Sequence, residues 1–321
     1  MQAGQQVFGR EEVQPFLSSI QLLHTPTEKN TVLREFATLL PDLDGFHAGM
    51  LALLCGILVE QGGNVSLPIN ATLEVMNSQL KQVKQYVELS EELHAEDLFQ
   101  HFPEAIRAHA ALPFLVPAVM TMLCRDKDTR KQWRQRQDLR TLLAELEEAE
   151  AIPFYLKAVF SLWDDQDLLV LDKVNTRGFL MRLVGIQDVM YHCYALLQHA
   201  LLEQAGPGYL DAEPTDPLAV RYAQNRDLTP DDYRKVADRS DFLRFNFRYP
   251  GGLIFFPGSA SFAELPIIGG VPLLLVEKKY INFGWSPTNM YPVLHEAQHS
   301  RVEIVRELTY EEVEDWLQRL G

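Results

Sequence analysis

Positive charge is in short supply in this chain. Its 29 lysines and arginines face 44 aspartates and glutamates, a net charge of −15 over 321 residues. That balance disfavours unguided binding to nucleic acid or to an anionic membrane surface, so any polyanion partner requires a local basic patch. Cysteine is equally scarce. Cys55, Cys124 and Cys193 lie far apart in apolar helical runs and make no CxxC pair, which excludes a disulfide framework and fits buried thiols in a reducing compartment. The stretch MQAGQQVFGREEVQPF has no basic patch followed by an apolar segment, so no secretory leader is expected and the cytoplasm is the default location. The longest apolar run, AALPFLVPAVMTMLC at 110–124, contains Pro113 and Pro117 and falls short of the ~20 residues of a spanning helix. It reads as a core helix, and no membrane association is expected. Neither GxGxxG nor GxxxxGKS/T occurs, so no dinucleotide or nucleoside-triphosphate cradle is signalled. Ser259 and Ser261 in PGSAS lack the GxSxG elbow, and no base for a serine nucleophile is identified.

What is present is mostly helical periodicity. In FHAGMLALLCGILVEQGG, Met50, Leu53, Leu54, Ile57 and Leu58 recur at three and four residues, and Gly62-Gly63 supplies a stop. The segment is apolar on most faces, which makes it a central helix. Further helices are predicted over 70–101, 104–124, 127–149 and 152–163. No fixed repeat period marks a solenoid, so a helical bundle or array is the expectation for 1–165. Near residue 165 the period changes. LLVLD and GFLMRLVGI flank a turn-like VNTRG and read as a strand hairpin, followed by an apolar helix over 186–202 that should pack on it.

Over 206–241 the prolines point to a loop-rich connector, with Thr229-Pro230-Asp231-Asp232 as the start of a short helix. FLRFNFRY (242–249), GLIFF (252–256), VPLLLVEKK (271–279) and SRVEIVREL (300–308) are rich in strand formers. Thr309 with Glu312 then spells a capping box before the apolar stripe Val313, Trp316, Leu317, Leu320. The expected fold is therefore α+β and mostly α. A helical domain over 1–165 precedes a smaller mixed domain over 166–321, made of hairpin plus helix (166–205), connector (206–241), and strands with a terminal amphipathic helix (242–321).

One stretch spells a catalytic signature. HEAQH places His295 and His299 four apart with Glu296 after the first, the pattern by which a helix presents two zinc ligands and a general base for hydrolysis. The downstream sequence does not continue in the HExxHxxGxxH form, and the segment runs from Pro292 towards a predicted strand. In extended geometry the two histidines stand about 13 Å apart, too far to share an ion. Zinc is therefore an alternative here and not the favoured reading.

A second candidate is RDKDTRKQWRQRQDLR (125–140), seven basic against three acidic residues in an otherwise acidic chain. On a helix Lys127, Lys131 and Arg134 share a face beside Trp133, with Arg130 nearby, an arrangement that suits phosphates with a ring stacked on a base or sugar. The competing explanation is a solvated helix paired with AELEEAEA (144–151) or with a partner. Glu91, His94, Asp97 and His101 include the ExxH spacing of di-iron bundles, but no second such pair lies in a predicted helix. His192 and His199, about 10 Å apart along a helix, read as core-edge or surface residues. The favoured functional expectation is a cytoplasmic binding or scaffold protein that meets another protein through its surface, with no resident cofactor. The alternatives are a metal-dependent hydrolase at His295, Glu296 and His299, and a phosphate or nucleic-acid binder at Arg130, Lys131, Trp133 and Arg134.

Overall fold

The computed structural model describes residues 18, 20, 22–187, 191–224, 228–237, 239, 241–256, 262–281 and 298–320. The chain divides into two compact units, Met1–Phe160 and Ser161–Gly321. The architecture is α+β and mostly α. A helical first unit precedes a six-stranded mixed sheet, and an amphipathic helix closes the chain.

The first unit contains α1 (Pro26–Leu39), α2 (Gly45–Glu60), α3 (Ile69–Ser90), α4 (Ala95–His101), α5 (Pro103–Arg125), α6 (Lys127–Arg134), α7 (Gln137–Glu148) and α8 (Phe154–Phe160). Asp44 begins α2 by accepting from the amides of Phe46 and His47 at 3.1 and 3.2 Å, which satisfies donors that a helix start leaves open. The helix ends on the predicted glycines. Gly62 adopts φ +94, and the amides of Gly62 and Gly63 return to the carbonyls of Val59 and Leu58, closing the last turn.

Helix α2 packs closely on α5. A Cβ on Gly49 would fall 2.8 Å from that of Ala111, and one on Gly56 would fall 3.1 Å from the Cα of Ala118. Seven residues separate the two contact positions along each helix, so the two helices run parallel with small residues meeting every two turns. Glu60 continues this register, accepting from Thr121 Oγ1 at 3.1 Å.

Helix α5 runs through Pro113 and Pro117 and is long and apolar enough by length and composition to cross a membrane, but 67% of that stretch is buried within the protein. Two predicted helices are divided. The 70–101 segment breaks before α4, where His94 takes the extended conformation of an N-cap. The 127–149 segment breaks at Gln135–Arg136, and Arg136 is extended in the same way.

In the second unit, β1 (Gln166–Asp172) and β2 (Arg177–Val184) form the predicted hairpin. The Asp172 carboxylate holds its turn by accepting from the amides of Val174 and Asn175, both at 3.0 Å, and from Asn175 Nδ2 at 2.7 Å. The remaining strands are β3 (Phe245–Arg248), β4 (Ile267–Ile268), β5 (Val271–Lys278) and β6 (Arg301–Glu307). The sheet order is β3-β5-β1-β2-β6, with β4 on β5 and β1 parallel to β5.

Both faces of the central strands are covered, which explains why LLVLD is apolar throughout instead of alternating. Leu168 and Val170 face α9 (Tyr191–Ala205) together with Phe179, Met181 and Leu183. Leu169 and Leu171 meet Leu273, Leu275 and the stripe of α12 (Tyr310–Leu320) on the other face. The capping box of α12 is present: the Thr309 amide donates to Glu312 at 2.9 Å, and the Glu312 amide donates to Thr309 Oγ1 at 3.3 Å.

Three local expectations change. FLRFNFRY is a strand only over Phe245–Arg248, and GLIFF contributes one bridge, Ile254 to Arg248, because the chain turns at Gly252. The connector holds two short helices, α10 (Pro217–Gln224) and α11 (Pro230–Ala237).

The sheet's edges are managed in different ways. Side chains from α9 satisfy β3: Tyr194 Oη donates to the Phe245 carbonyl and accepts from the Phe247 amide, while Gln198 Oε1 accepts from the amides of Arg244 and Phe245. At the other edge β6 carries a bulge. Arg306 faces Leu180 and Ile304 faces Met181, so Val305 falls between and is 42% exposed.

Candidate functional site

His295 and Glu296 lie outside the described residues, as do Ser259 and Ser261. The end of HEAQH is described, and it is not extended as predicted. Gln298 has helical backbone, exposed His299 turns at φ +52, and the strand begins only at Arg301. Ser300 is fully buried and its hydroxyl donates to the carbonyl of Gly185. Gly185 itself has φ +61, and a Cβ there would approach the Gln298 carbonyl to 3.1 Å. Its amide donates to the buried carboxylate of Asp164 at 2.9 Å. Two residues on, the Gln187 amide donates to Nε2 of fully buried His192 at 3.4 Å. The motif therefore ends against a buried polar cluster at one end of the sheet. Among the described residues no group of three or more His, Cys, Asp or Glu side chains is arranged to hold a metal ion.

The basic segment folds as α6 and the start of α7, but two of its four named recognition residues turn inward. Trp133 is 4% exposed and Arg130 is 2% exposed. The Arg130 guanidinium donates to the Leu123 carbonyl in the last turn of α5, one of the acceptors that a helix end leaves without an intrahelical partner. The Trp133 ring is buried, so it offers no open face for stacking on a base, and Arg136 lies 4.5 Å above it. Lys131 and Arg134 remain partly exposed. Arg136 pairs with Asp138 and Glu74, while the acidic stretch meets other lysines, Glu145 with Lys84 and Glu147 with Lys157. Glu91, His94, Asp97 and His101 are exposed at the break between α3 and α4.

A site with no sequence motif lies between α9 and α10. His199, Leu202 and Glu203 from one helix meet Pro214, Thr215, Val220 and Arg221 across a half-open cleft of about 590 Å³. Its apolar wall is fixed by the core, since Leu202 and Val220 belong to the cluster beneath the sheet. Glu203 and Arg221 are exposed at the rim. His199 Nδ1 and Thr215 Oγ1 are 2.9 Å apart, tying the helix to the proline-rich loop. Nε2 of that ring makes no hydrogen bond among the described residues. His199 was legible only as a half-buried helix residue, because its cleft partners lie in a loop and in a helix whose fold the local pattern does not specify.

Near the same loop, Tyr209 donates to Asp172 at 2.9 Å beneath the guanidinium of Arg177. Burial first, then the Asp172 carboxylate, hold the Tyr209 phenol far above its ordinary range, so it acts as a fixed donor. Compared with known protein families, curated proteins and solved structures, the chain matches none.

Proposed function

We propose that this chain is an intracellular binding protein and that the cleft between α9 and α10 receives its ligand, a small molecule with an apolar body and one hydrogen-bonding head. The observation that carries this reading is the cleft itself. Its volume of about 590 Å³ lies within the roughly 300–1,000 Å³ of ligand pockets, which combine apolar walls with a few convergent polar groups. Leu202, Val220 and the prolines supply the wall, and His199 with Thr215 supplies the polar point. Three buried free cysteines are consistent with a reducing compartment. Burial pushes the Cys55 thiol up to about 12, which suits an inert core residue and not a nucleophile.

The test is a titration with 1-anilinonaphthalene-8-sulfonate, whose aromatic body and single polar group match this chemistry. Saturable fluorescence enhancement at one site per chain is expected, and it should be lost in Thr215→Trp, which fills the cleft from its loop side. Circular dichroism would establish that this variant is folded. Enhancement that does not saturate, or that persists undiminished in folded Thr215→Trp, overturns the assignment.

A further inference from the structure

Two cations converge beside the 210–214 loop, whose Pro214 also lines the α9–α10 cleft. Arg244 Nη1 and Lys279 Nζ both donate to the Leu243 carbonyl, at 3.2 and 3.4 Å. Two like charges drawn to one neutral oxygen repel each other, and a carbonyl supplies no compensating charge. The other acceptors of this guanidinium are neutral too: Pro214 O takes Nε at 3.0 Å and Asp241 O takes Nη1 at 2.9 Å. Among the described residues Nη2 makes no hydrogen bond and Lys279 makes only its one long bond.

Of the neighbouring carboxylates, Asp211 pairs with Lys278, and Asp241 pairs with Arg239 through both oxygens while also feeling the charge of Arg244. Glu213, exposed on the loop, also lines the small cleft of about 220 Å³ that these residues surround. Three cations against two carboxylates line this cleft in a chain that is acidic overall. Arg244 is also held from behind. Its amide donates to Gln198 Oε1 at 2.6 Å, and Gln198 is 1% exposed, so the backbone that carries the guanidinium is fixed, while the Pro214 and Asp241 carbonyls orient the guanidinium itself before any ligand arrives.

We propose that Arg244 and Lys279 form a binding site for a phosphate-type oxyanion. The guanidinium edge at Nη2 and the lysine ammonium would each donate to a different oxygen, giving the charge-assisted bonds that the carbonyls do not. The cleft is below the usual volume for a whole organic ligand, which suits inorganic phosphate or the phosphate group of something larger. The site is separate from the apolar cleft and does not depend on the function proposed for it.

The experiment is calorimetric titration of the intact chain with sodium phosphate at constant ionic strength, with parallel arms of sodium acetate and AMP. Saturable phosphate binding is expected, about tenfold weaker in Lys279→Gln, the loss of one charge-assisted hydrogen bond, and unchanged in Lys81→Gln, an exposed position on α3. Equal affinities for AMP and phosphate would show that the group alone is read, and tighter AMP binding would assign the source to a nucleotide. The inference is overturned if phosphate does not saturate, if acetate matches it, or if folded Lys279→Gln binds it as well as the unaltered chain.

Discussion

Replacing Gln198 by leucine tests how the sheet's edge is sealed. Gln198 Oε1 accepts from the amides of Arg244 and Phe245 at 2.6 and 3.1 Å, and Nε2 donates to the Phe242 carbonyl at 3.1 Å. Leucine keeps the volume and removes all three partners. Each buried group left unsatisfied costs about 1–3 kcal/mol. Arg244 is half-buried and recovers some hydration, so the expected loss is about 3–5 kcal/mol, a large share of the roughly 5–15 kcal/mol that holds a domain together.

Hydrogen exchange resolved at single amides is the assay, with urea unfolding alongside it. The Phe245 amide should lose protection first and most, and the urea midpoint of the second unit should fall without a change in slope. Tyr194→Phe strips the same edge of one donor to Phe245 and one acceptor for Phe247, with an expected loss of about 2–3 kcal/mol. The two variants share a strand, so their effects should not add. If Gln198→Leu costs less than about 1 kcal/mol and the Phe245 amide stays protected, α9 is not what seals this edge.

Two further outcomes follow from other contacts. Gly49→Val on α2 drives methyl groups into Ala111 and should destabilise the first unit by about 2–3 kcal/mol, with partial recovery in the pair Gly49→Val, Ala111→Gly; a neutral result in urea unfolding would mean that the helices do not meet there. Arg306 and then the Thr309 amide lower the Glu312 carboxyl from 4.5 to about 2. Its contribution is therefore complete above the unfolded value and is lost as pH falls from about 4.5 to about 2. Amide protection in α12 should decline through that window and not in Glu312→Gln, and a Glu312 carboxyl that titrates by NMR in the ordinary range would refute the pairing.

The features legible in the sequence were those decided within a few residues. The glycine stop of α2, the Thr309–Glu312 box and the doubly buried LLVLD strand depend on local geometry or on continuous apolar character. The breaks at His94 and Arg136 were not legible, because both lie inside polar stretches with helical propensity and neither carries a proline or glycine to mark a stop. Arg130 shows the same limit. The sequence groups it with Lys131, Trp133 and Arg134 as a phosphate-binding patch, whereas it meets a carbonyl seven residues earlier, at the end of a different helix. Charge alone does not distinguish a cation that faces solvent from one that caps a neighbour.

The cleft between α9 and α10 was hidden for a related reason, since its residues carry no spacing rule that links 199–203 to 214–221. The links are physical and run through one loop. Pro214 lines the apolar cleft, while its carbonyl accepts from Arg244, whose amide is held by Gln198 on α9. Gln198→Leu therefore frees the backbone that carries Arg244 as well as the strand edge, and should weaken phosphate binding in addition to lowering stability. Tyr194→Phe opens the same edge without touching Arg244, so it should lower stability and leave phosphate affinity unchanged. Equal losses of affinity in the two variants would mean that the oxyanion site senses the strand as a whole, and that orientation of Arg244 by Gln198 is not what prepares it.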